Sequence, residues 1–468
     1  MTVTVDAFVY GATPQAIFAS IVLARAGKSV ALVAPETVLG GMITGGLGIT
    51  DAPLSFRNWY GVVEEFATAM SVRTGFLNST HLHWTFAASE AKAEIEAMVA
   101  AEANITTYLG HTITGVERNF PAGDKGSLTS EIALQGTRIR SVTTTLETFK
   151  ATQYGDMSYN GGLLAAAGVP VRIGREGRDF AHEPRAGVIT DHAISDEQPI
   201  IDADGDLMWH GQFAPSEEPG APDRKSMAVG WRHMITNVAG ANNLGVPAPA
   251  NYDAADFADI IYLANQTTIG VSTRDFGFQP IKRVTYDDAL AAVHIDGYEG
   301  MTQSDREEAW SDFTSSDAVD TVPGKFATNG SDIAGPLAWE YTFADDARRD
   351  EIREQLWYRW LGTYHTLQND PGVPAVTRNS FAEWGLCADE CVADFTGSAG
   401  WPHELYQREG RRLIGQTLLD FYTNLYEVNH PDRIAVGSYF MDSKAKTRYA
   451  LPGNQDGGGT NEGEEREG

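Results

Sequence analysis

The chain has 468 residues, 42% of them hydrophobic and 10% aromatic. That is room for about two to four structural units, and too much apolar content for general disorder. Lys plus Arg number 35 against 63 Asp plus Glu, a formal net charge of −28. This balance argues against nucleic acid and anionic membranes as partners, because both demand a cationic face.

Two cysteines, Cys387 and Cys391, are too few for a disulfide framework. A structural zinc site would need two more ligands from elsewhere. No apolar run reaches the roughly 18 residues of a membrane span, and the N-terminus has neither a cationic start nor a long apolar core. The expectation is a soluble, cytoplasmic protein.

Val3 to Tyr10 alternates and is β-branched, as a strand should be. Gly11 to Pro14 is a turn, and Pro14 suits the first turn of a helix, where its missing N–H costs nothing. Gln15 to Ala26 has helical periodicity, Gly27 can cap it, and Ser29 to Ala34 reads as a second, buried strand. This is a βαβ unit with parallel strands. A glycine-rich stretch, Leu39 to Gly48, follows. Helices are predicted over Ser55–Met70 and Phe86–Glu102, and strands over Ile105–Val116 and Glu131–Leu146, with a polar turn at 121–127. Tyr154 to Arg178 is a second glycine-rich segment around a short helix, Gly162–Ala167. A long irregular region spans about 191–335, and Asp345–Leu367 and Glu404–Tyr426 are predicted as helices. The last 16 residues, Gly453 to Gly468, are nearly all small or polar and are expected to lack order.

The turn Gly11-Ala12-Thr13-Pro14-Gln15-Ala16 aims backbone N–H groups and the positive end of a helix at one point, a ready pyrophosphate site. It is a degenerate G-x-G-x-x-G, with Thr13 and Ala16 at the second and third glycine positions. The alternative is an ordinary βαβ start with no ligand. Ala34 stands where an acidic residue usually ends the second strand, and Glu36, two residues on, is the substitute for the ribose contact. Gly40-Gly41-Met42 forms a flat loop that would let the chain pass close to a pyrophosphate and ring system, which favours FAD over a nicotinamide cofactor.

These pieces resemble the FAD-dependent oxidoreductases of the glutathione-reductase-like superfamily, in particular a bacterial family with some xanthan-lyase-like labelled members. Val9 to Pro14 resembles the opening turn, and Leu39 to Met42 the second glycine motif. Asp156 to Leu163, with Ala165 to Gly168 and Gly174-Arg-Glu176, resembles the segment that closes the FAD domain. Gln368 to Pro371, Gly400 to Tyr406 with Arg408-Glu409, and Gly437 to Ser443 resemble later signatures, so the likeness spans most of the chain. Two departures are Lys444, where His is usual, and Gly162, where an acidic residue is usual. The resemblance implies FAD held at the pyrophosphate by Gly11, Ala12, Thr13, Pro14, Gln15 and Ala16, with Gly40, Gly41 and Met42 near the flavin half and Asp156 near the ribityl–pyrophosphate region. It also implies a closing C-terminal part of the FAD domain that this chain does not carry, so that a second chain or segment would complete it and the chain alone would hold FAD poorly.

An alcohol or amine donor needs a general base, and His is the usual choice. The candidates are His210, His233, His365 and His403, with His403 and His233 preferred. Arg232, Tyr406 and Arg408 are assigned to substrate binding. For each the plainer alternative is a hydrogen-bonded or salt-bridged structural residue. Cys387 and Cys391 read as two buried free thiols rather than a metal pair. Trp357, Trp360, Trp384 and Trp401 could stack on a sugar ring or simply build the core.

The expected architecture is α/β. A glutathione-reductase-type FAD-binding Rossmann domain spans 1–190, a mixed substrate domain is inserted over 191–400, a helical return spans 401–452, and a disordered tail spans 453–468. The expected function is hydride transfer from a small organic donor, such as a sugar or polyol alcohol, to flavin N5. The alternatives are a non-catalytic or incomplete flavoprotein subunit that needs a partner chain, and a carbohydrate lyase. No metal is expected.

Overall fold

The computed structural model describes residues 1–48, 60–74, 86–119, 138–183, 186–188, 194–199, 211–212, 218–265, 279–283, 320–328, 332–392, 400–415, 441–443, 447–450, 458–462 and 465–467. Strand β1 (Thr2–Tyr10), helix α1 (Pro14–Arg25) and strand β2 (Val30–Ala34) form the expected βαβ unit, with Ala7 beside Val30 and Tyr10 beside Val33 in parallel register. Helices α2 (Val62–Thr74) and α3 (Ala88–Ala100) lead to β3 (Ile105–Leu109), β4 (Ile113–Asn119), β5 (Arg138–Thr144) and β6 (Thr148–Asp156).

These strands make one sheet, ordered β3-β2-β1-β6-β5-β4. The first four run parallel, and β5 and β4 are antiparallel. Period-2 alternation sends the side chains of β1 to two cores. Ala7 and Val9 pack with Ile17 and Ile21 of α1 and Ile95 of α3. Phe8 and Tyr10 pack on the other face with Phe149 and with Leu163 of helix α4 (Gly162–Ala166). All five residues of β2 are buried, as a central parallel strand requires.

A second unit carries two small antiparallel sheets. One pairs Val229–Trp231 with Asp332–Ile333 and Leu405–Tyr406. The other orders Gln279–Arg283, Asp320–Ala327, Met234–Thr236 and Gly385–Leu386. The helices Pro336–Phe343 and Asp346–Asn369 pack against them around Trp231, Ile352, Leu356, Trp401 and Leu405. Asp345 caps the long helix by accepting from Arg348 N–H at 2.9 Å.

Several expectations change. The predicted strand Ile105–Val116 divides into β3 and β4 at Gly110. The helix predicted from Ser55 is seen from Val62, and 55–59 lie outside the described residues. The helix predicted over Glu404–Tyr426 is corrected in its described part. Leu405–Tyr406 and Arg412–Leu413 are strands, paired with Gly230–Trp231 and with Val171–Arg172. Gly410 lies between them, packed so tightly on the Tyr159 carbonyl that a Cβ would collide with it. Residues 416–426 lie outside the described residues. Of the tail expected to lack order, Gly458–Glu462 pairs with Thr447–Ala450 and Ile194–Pro199, and Glu465–Glu467 pairs with Met441–Ser443. Backbone pairing of this kind needs no apolar side chains. Among the described residues no helix is long and apolar enough to cross a membrane.

Candidate functional site

The site starts at the end of β1. Gly11 has φ +125°, and a Cβ there would stand 2.9 Å from the backbone of Met157 and Ser158, so only glycine fits. Thr13 caps α1. Its hydroxyl accepts from Ala16 N–H at 3.2 Å and donates to the Met157 carbonyl at 2.6 Å. The threonine at the second glycine position thus fastens the turn to the segment after β6. Pro14 opens the helix without an N–H, and Ala16 and Ile17 N–H donate to Thr13, so Gln15 N–H is the first-turn donor left to face an anion at this helix end. Ala12 and Ala16 are buried, and Gln15 is exposed.

The glycine loop is tied to this turn, because Gly40 N–H donates to the Ala12 carbonyl at 2.7 Å. A Cβ on Gly41 would stand 2.5 Å from Tyr159 Oη, and that hydroxyl accepts from Met42 N–H at 3.1 Å. Asp156 lies beside Tyr10 in register, next to the turn. Its carboxylate is occupied locally: it accepts from Ser158 Oγ at 2.7 Å and from Leu164 N–H at 2.8 Å, and so fixes the Met157–Leu164 bend.

Glu36 is just beyond β2. Its Oε2 is out of contact with solvent and has no hydrogen-bond partner. Burial raises the Glu36 pKa, and Arg353 and Arg349 oppose that rise. An unpaired buried carboxylate oxygen at the end of the second strand is costly. It is also placed where a ribose hydroxyl would satisfy it.

The second unit closes over the loop. A Cβ on Gly45 would stand 2.8 Å from Glu404 Cβ, and one on Gly46 would collide with the Arg232 carbonyl oxygen. Burial and the neighbouring Glu36 push Glu404 up to about 8, against the pull of Arg353 and Arg349. Arg349 is 5% exposed, lies over the Tyr341 ring and leaves its Nε without a partner. Arg353 donates to the His403 carbonyl. Arg411 donates to the carbonyls of Asn160 and Ala344, each at 3.0 Å, and so joins the two units.

The expected substrate residues also converge. The guanidinium of Arg232 lies 4.6 Å from the centre of the Tyr406 ring, and that of Arg408 lies 4.1 Å from it. His233 is fully buried, stacked on Trp401 at 4.8 Å with its Nε2 3.2 Å from Tyr364 Oη. Burial, helped by Arg232, lowers its pKa to about 3, so the ring is neutral. His403 is 4% exposed. His365 Nδ1 faces the Val246 carbonyl at 3.3 Å, and His210 lies outside the described residues. Trp401 is core, and Trp357, Trp360 and Trp384 pack against the same cluster, so these rings are packing groups rather than an open sugar platform. Cys387 and Cys391 are buried free thiols, and burial pushes Cys387 up to about 12. Among the described residues no group of His, Cys, Asp and Glu could hold a metal.

The positions not expected from sequence are Glu404, Arg349, Arg353 and Tyr159. One signal was available for Arg349. It falls on the helical stripe Arg349, Ile352, Leu356, all of which are buried.

A mostly parallel sheet whose first strand meets a helix N-terminus at a glycine turn, with an acidic group just past the second strand, is the arrangement of a dinucleotide-binding protein. The sequence profile of the family described as FAD dependent oxidoreductase matches residues 6–465, and the chain belongs to that family. The cofactor of that family is FAD, and the residues present fit it. Gly11, Thr13 and the first turn of α1 offer the pyrophosphate cradle, and the unpaired Glu36 oxygen offers the ribose contact. No curated protein matches the sequence. Among solved structures, the chain is similar to Thermovibrio ammonificans THI4, at 15% identity over 37% of this chain and 66% of that one, with a TM-score of 0.27. It is similar to T. acidophilum thioredoxin reductase, at 15% identity over 33% and 35% of the two chains, with a TM-score of 0.20. It is similar to glycine oxidase from Geobacillus kaustophilus, at 14% identity over 36% and 59%, with a TM-score of 0.24. In each case the match spans less than two thirds of the other chain.

Proposed function

We propose that the chain, with FAD bound, oxidises a small organic donor such as a sugar or polyol alcohol, and that Glu404 takes the donor's proton. The observation that carries this is the position of Glu404: its stem packs on Gly45 of the glycine loop, and its carboxyl is buried beside Glu36, Arg349 and Arg353. FAD, when bound, supplies a hydride acceptor. The chain's own residues bind the donor, keep water out and manage one proton. A carboxyl that titrates near 8 changes state in the neutral range, which suits a general base. Arg349 and Arg353 hold the negative charge of the Glu404 carboxylate before it takes the proton. Arg232, Tyr406 and Arg408 are assigned to donor binding, because both guanidinium groups lie over the Tyr406 ring, Tyr406 and Arg408 follow closely after Glu404 in the chain, and the Arg232 backbone packs on Gly46 of the glycine loop. His403, adjacent to Glu404, is the second proton-handling group. His233, fully enclosed, positions Trp401 instead.

The test is anaerobic reduction of the FAD-loaded protein by a panel of polyols, sugars, amines and amino acids, followed by the flavin's visible absorbance. Bleaching by a hydroxyl donor, slowed at least about a hundredfold in Glu404→Gln, is the expected result. Bleaching that is unchanged by the substitution removes Glu404 from the chemistry. Bleaching by amines alone replaces the donor class.

A further inference from the structure

In a chain with 35 Lys plus Arg and 63 Asp plus Glu, cations have acidic partners to spare. One cleft departs from this. It has a volume of about 880 Å³ and lies between the segments 172–180 and 218–224. Arg172, Arg175, Arg178 and Arg224 all line it. Arg175 is committed, in a two-point pair with Asp223 at 3.0 and 2.5 Å, with both side chains under 10% exposed. Glu176 is also committed, to Arg412 at 2.8 Å. The guanidinium groups of Arg172, Arg178 and Arg224 make no ion pair or hydrogen bond among the described residues. Arg172 lies over the Phe180 ring at 4.4 Å, and Arg224 over the Phe343 ring at 5.0 Å. Arg178 Nε is buried with no partner. Asp179 and Glu218 line the same cleft and are exposed.

The walls are fixed to one another. Arg175 and Asp223 exchange backbone hydrogen bonds at 3.0 and 3.2 Å, and Arg178 N–H donates to the Gly220 carbonyl at 3.0 Å. None of the lining residues belongs to the Gly11 turn or to the glycine loop. Rings beneath two of the guanidinium groups hold their planes, and a buried donor without an acceptor is costly until a ligand supplies one. Guanidinium forks match the oxygens of carboxylate and phosphate.

We propose that this cleft binds an anionic group, a carboxylate or a phosphate, on a small organic molecule, through Arg172, Arg178 and Arg224. The volume fits a ligand of ordinary metabolite size. This does not depend on the cofactor reading.

The test is calorimetric titration of the purified full chain with inorganic phosphate and, separately, with succinate, using chloride at matched ionic strength as the control. The expected result is saturable binding of at least one of the two anions. Phosphate alone assigns a phosphorylated ligand, and succinate alone a carboxylate. Affinity should fall about tenfold or more in Arg178→Gln. It should also fall in Arg224→Gln, an exposed position where the change leaves the fold intact. The melting temperature of either variant without anion should match that of the unsubstituted protein. Heats that do not exceed chloride for either anion overturn the proposal, as does equal affinity in both variants.

Discussion

The carboxyl group of Glu36 bears on that of Glu404 across the boundary between the sheet and the second unit and raises Glu404's hold on its proton, while Glu36 is itself raised by burial and by Asp346. Arg349 and Arg353, from the helix Asp346–Asn369, face the same pair and oppose that rise. The direction of the pH effect follows. Unfolded, Glu404 releases its proton near the ordinary value of 4.5; folded, it holds it to about 8. Between those values folding takes up a proton, so stability is greatest at the acid end and falls as pH rises, with the loss complete above about 8. Glu36 acts in the same direction. Denaturant unfolding across this window should show a decline of at least about 1 kcal/mol, and Glu404→Gln should reduce it. A wild-type protein whose stability rises over the same window would contradict the coupling.

Glu36→Gln should separate binding from stability. The change removes an unpaired buried charge, so the protein without FAD should melt at the same temperature or higher. The same change takes the charge from the ribose acceptor, and FAD affinity should fall by about 1 kcal/mol, the difference between a charged and a neutral hydrogen bond. Thermal melts and FAD titration on one preparation check both halves. Weaker FAD binding with a lower melting temperature would mark Glu36 as structural.

Gly46→Ala should loosen the contact between the glycine loop and the second unit. The new methyl collides with the Arg232 carbonyl, and the backbone φ of +90° disfavours any side chain. A loss of about 1–3 kcal/mol in unfolding free energy is expected. Unchanged stability would mean that the loop moves away without cost.

Glu390 joins the two units from inside. It is fully buried, accepts from Ser89 N–H and Oγ at 2.8 Å each, and pairs with Lys325. Glu390→Ala leaves that ammonium only the half-exposed Asp389, at 2.8 Å, and a loss of about 2–3 kcal/mol is expected. Glu390→Gln, which keeps one acceptor oxygen for Ser89 N–H, should cost less. Circular dichroism melts rank the two, and equal losses would show that the charge is irrelevant.

The turn and its neighbours were legible in the sequence because they are local. A β-branched run, a glycine, a helix-capping Thr13 and Pro14 specify β1, the turn and α1 within 25 residues. The long helix was legible for the same reason, with Asp345 as its cap. The polar cluster was not. Glu36 and Glu404 are brought together only by the packing of the second unit on the loop. The segment after Glu404 was misread as helix because Leu405–Tyr406 pairs with Gly230–Trp231, a partner invisible to local periodicity. His233 illustrates the same limit: its sequence neighbourhood suggested chemistry, and its fold neighbourhood is Trp401 and Tyr364.

The most direct test of the account is FAD titration of the purified chain, followed by quenching of flavin fluorescence, for the wild type and for Gly11→Ala. At Gly11 both φ and the Met157–Ser158 backbone forbid a Cβ, so the substitution disturbs the cradle itself. The prediction is saturable FAD binding, weak if a further segment is needed to complete the domain, with affinity at least about tenfold weaker still in the variant while its secondary structure is kept. Absence of saturable FAD binding by the wild type, or equal affinity in the variant, would contradict it.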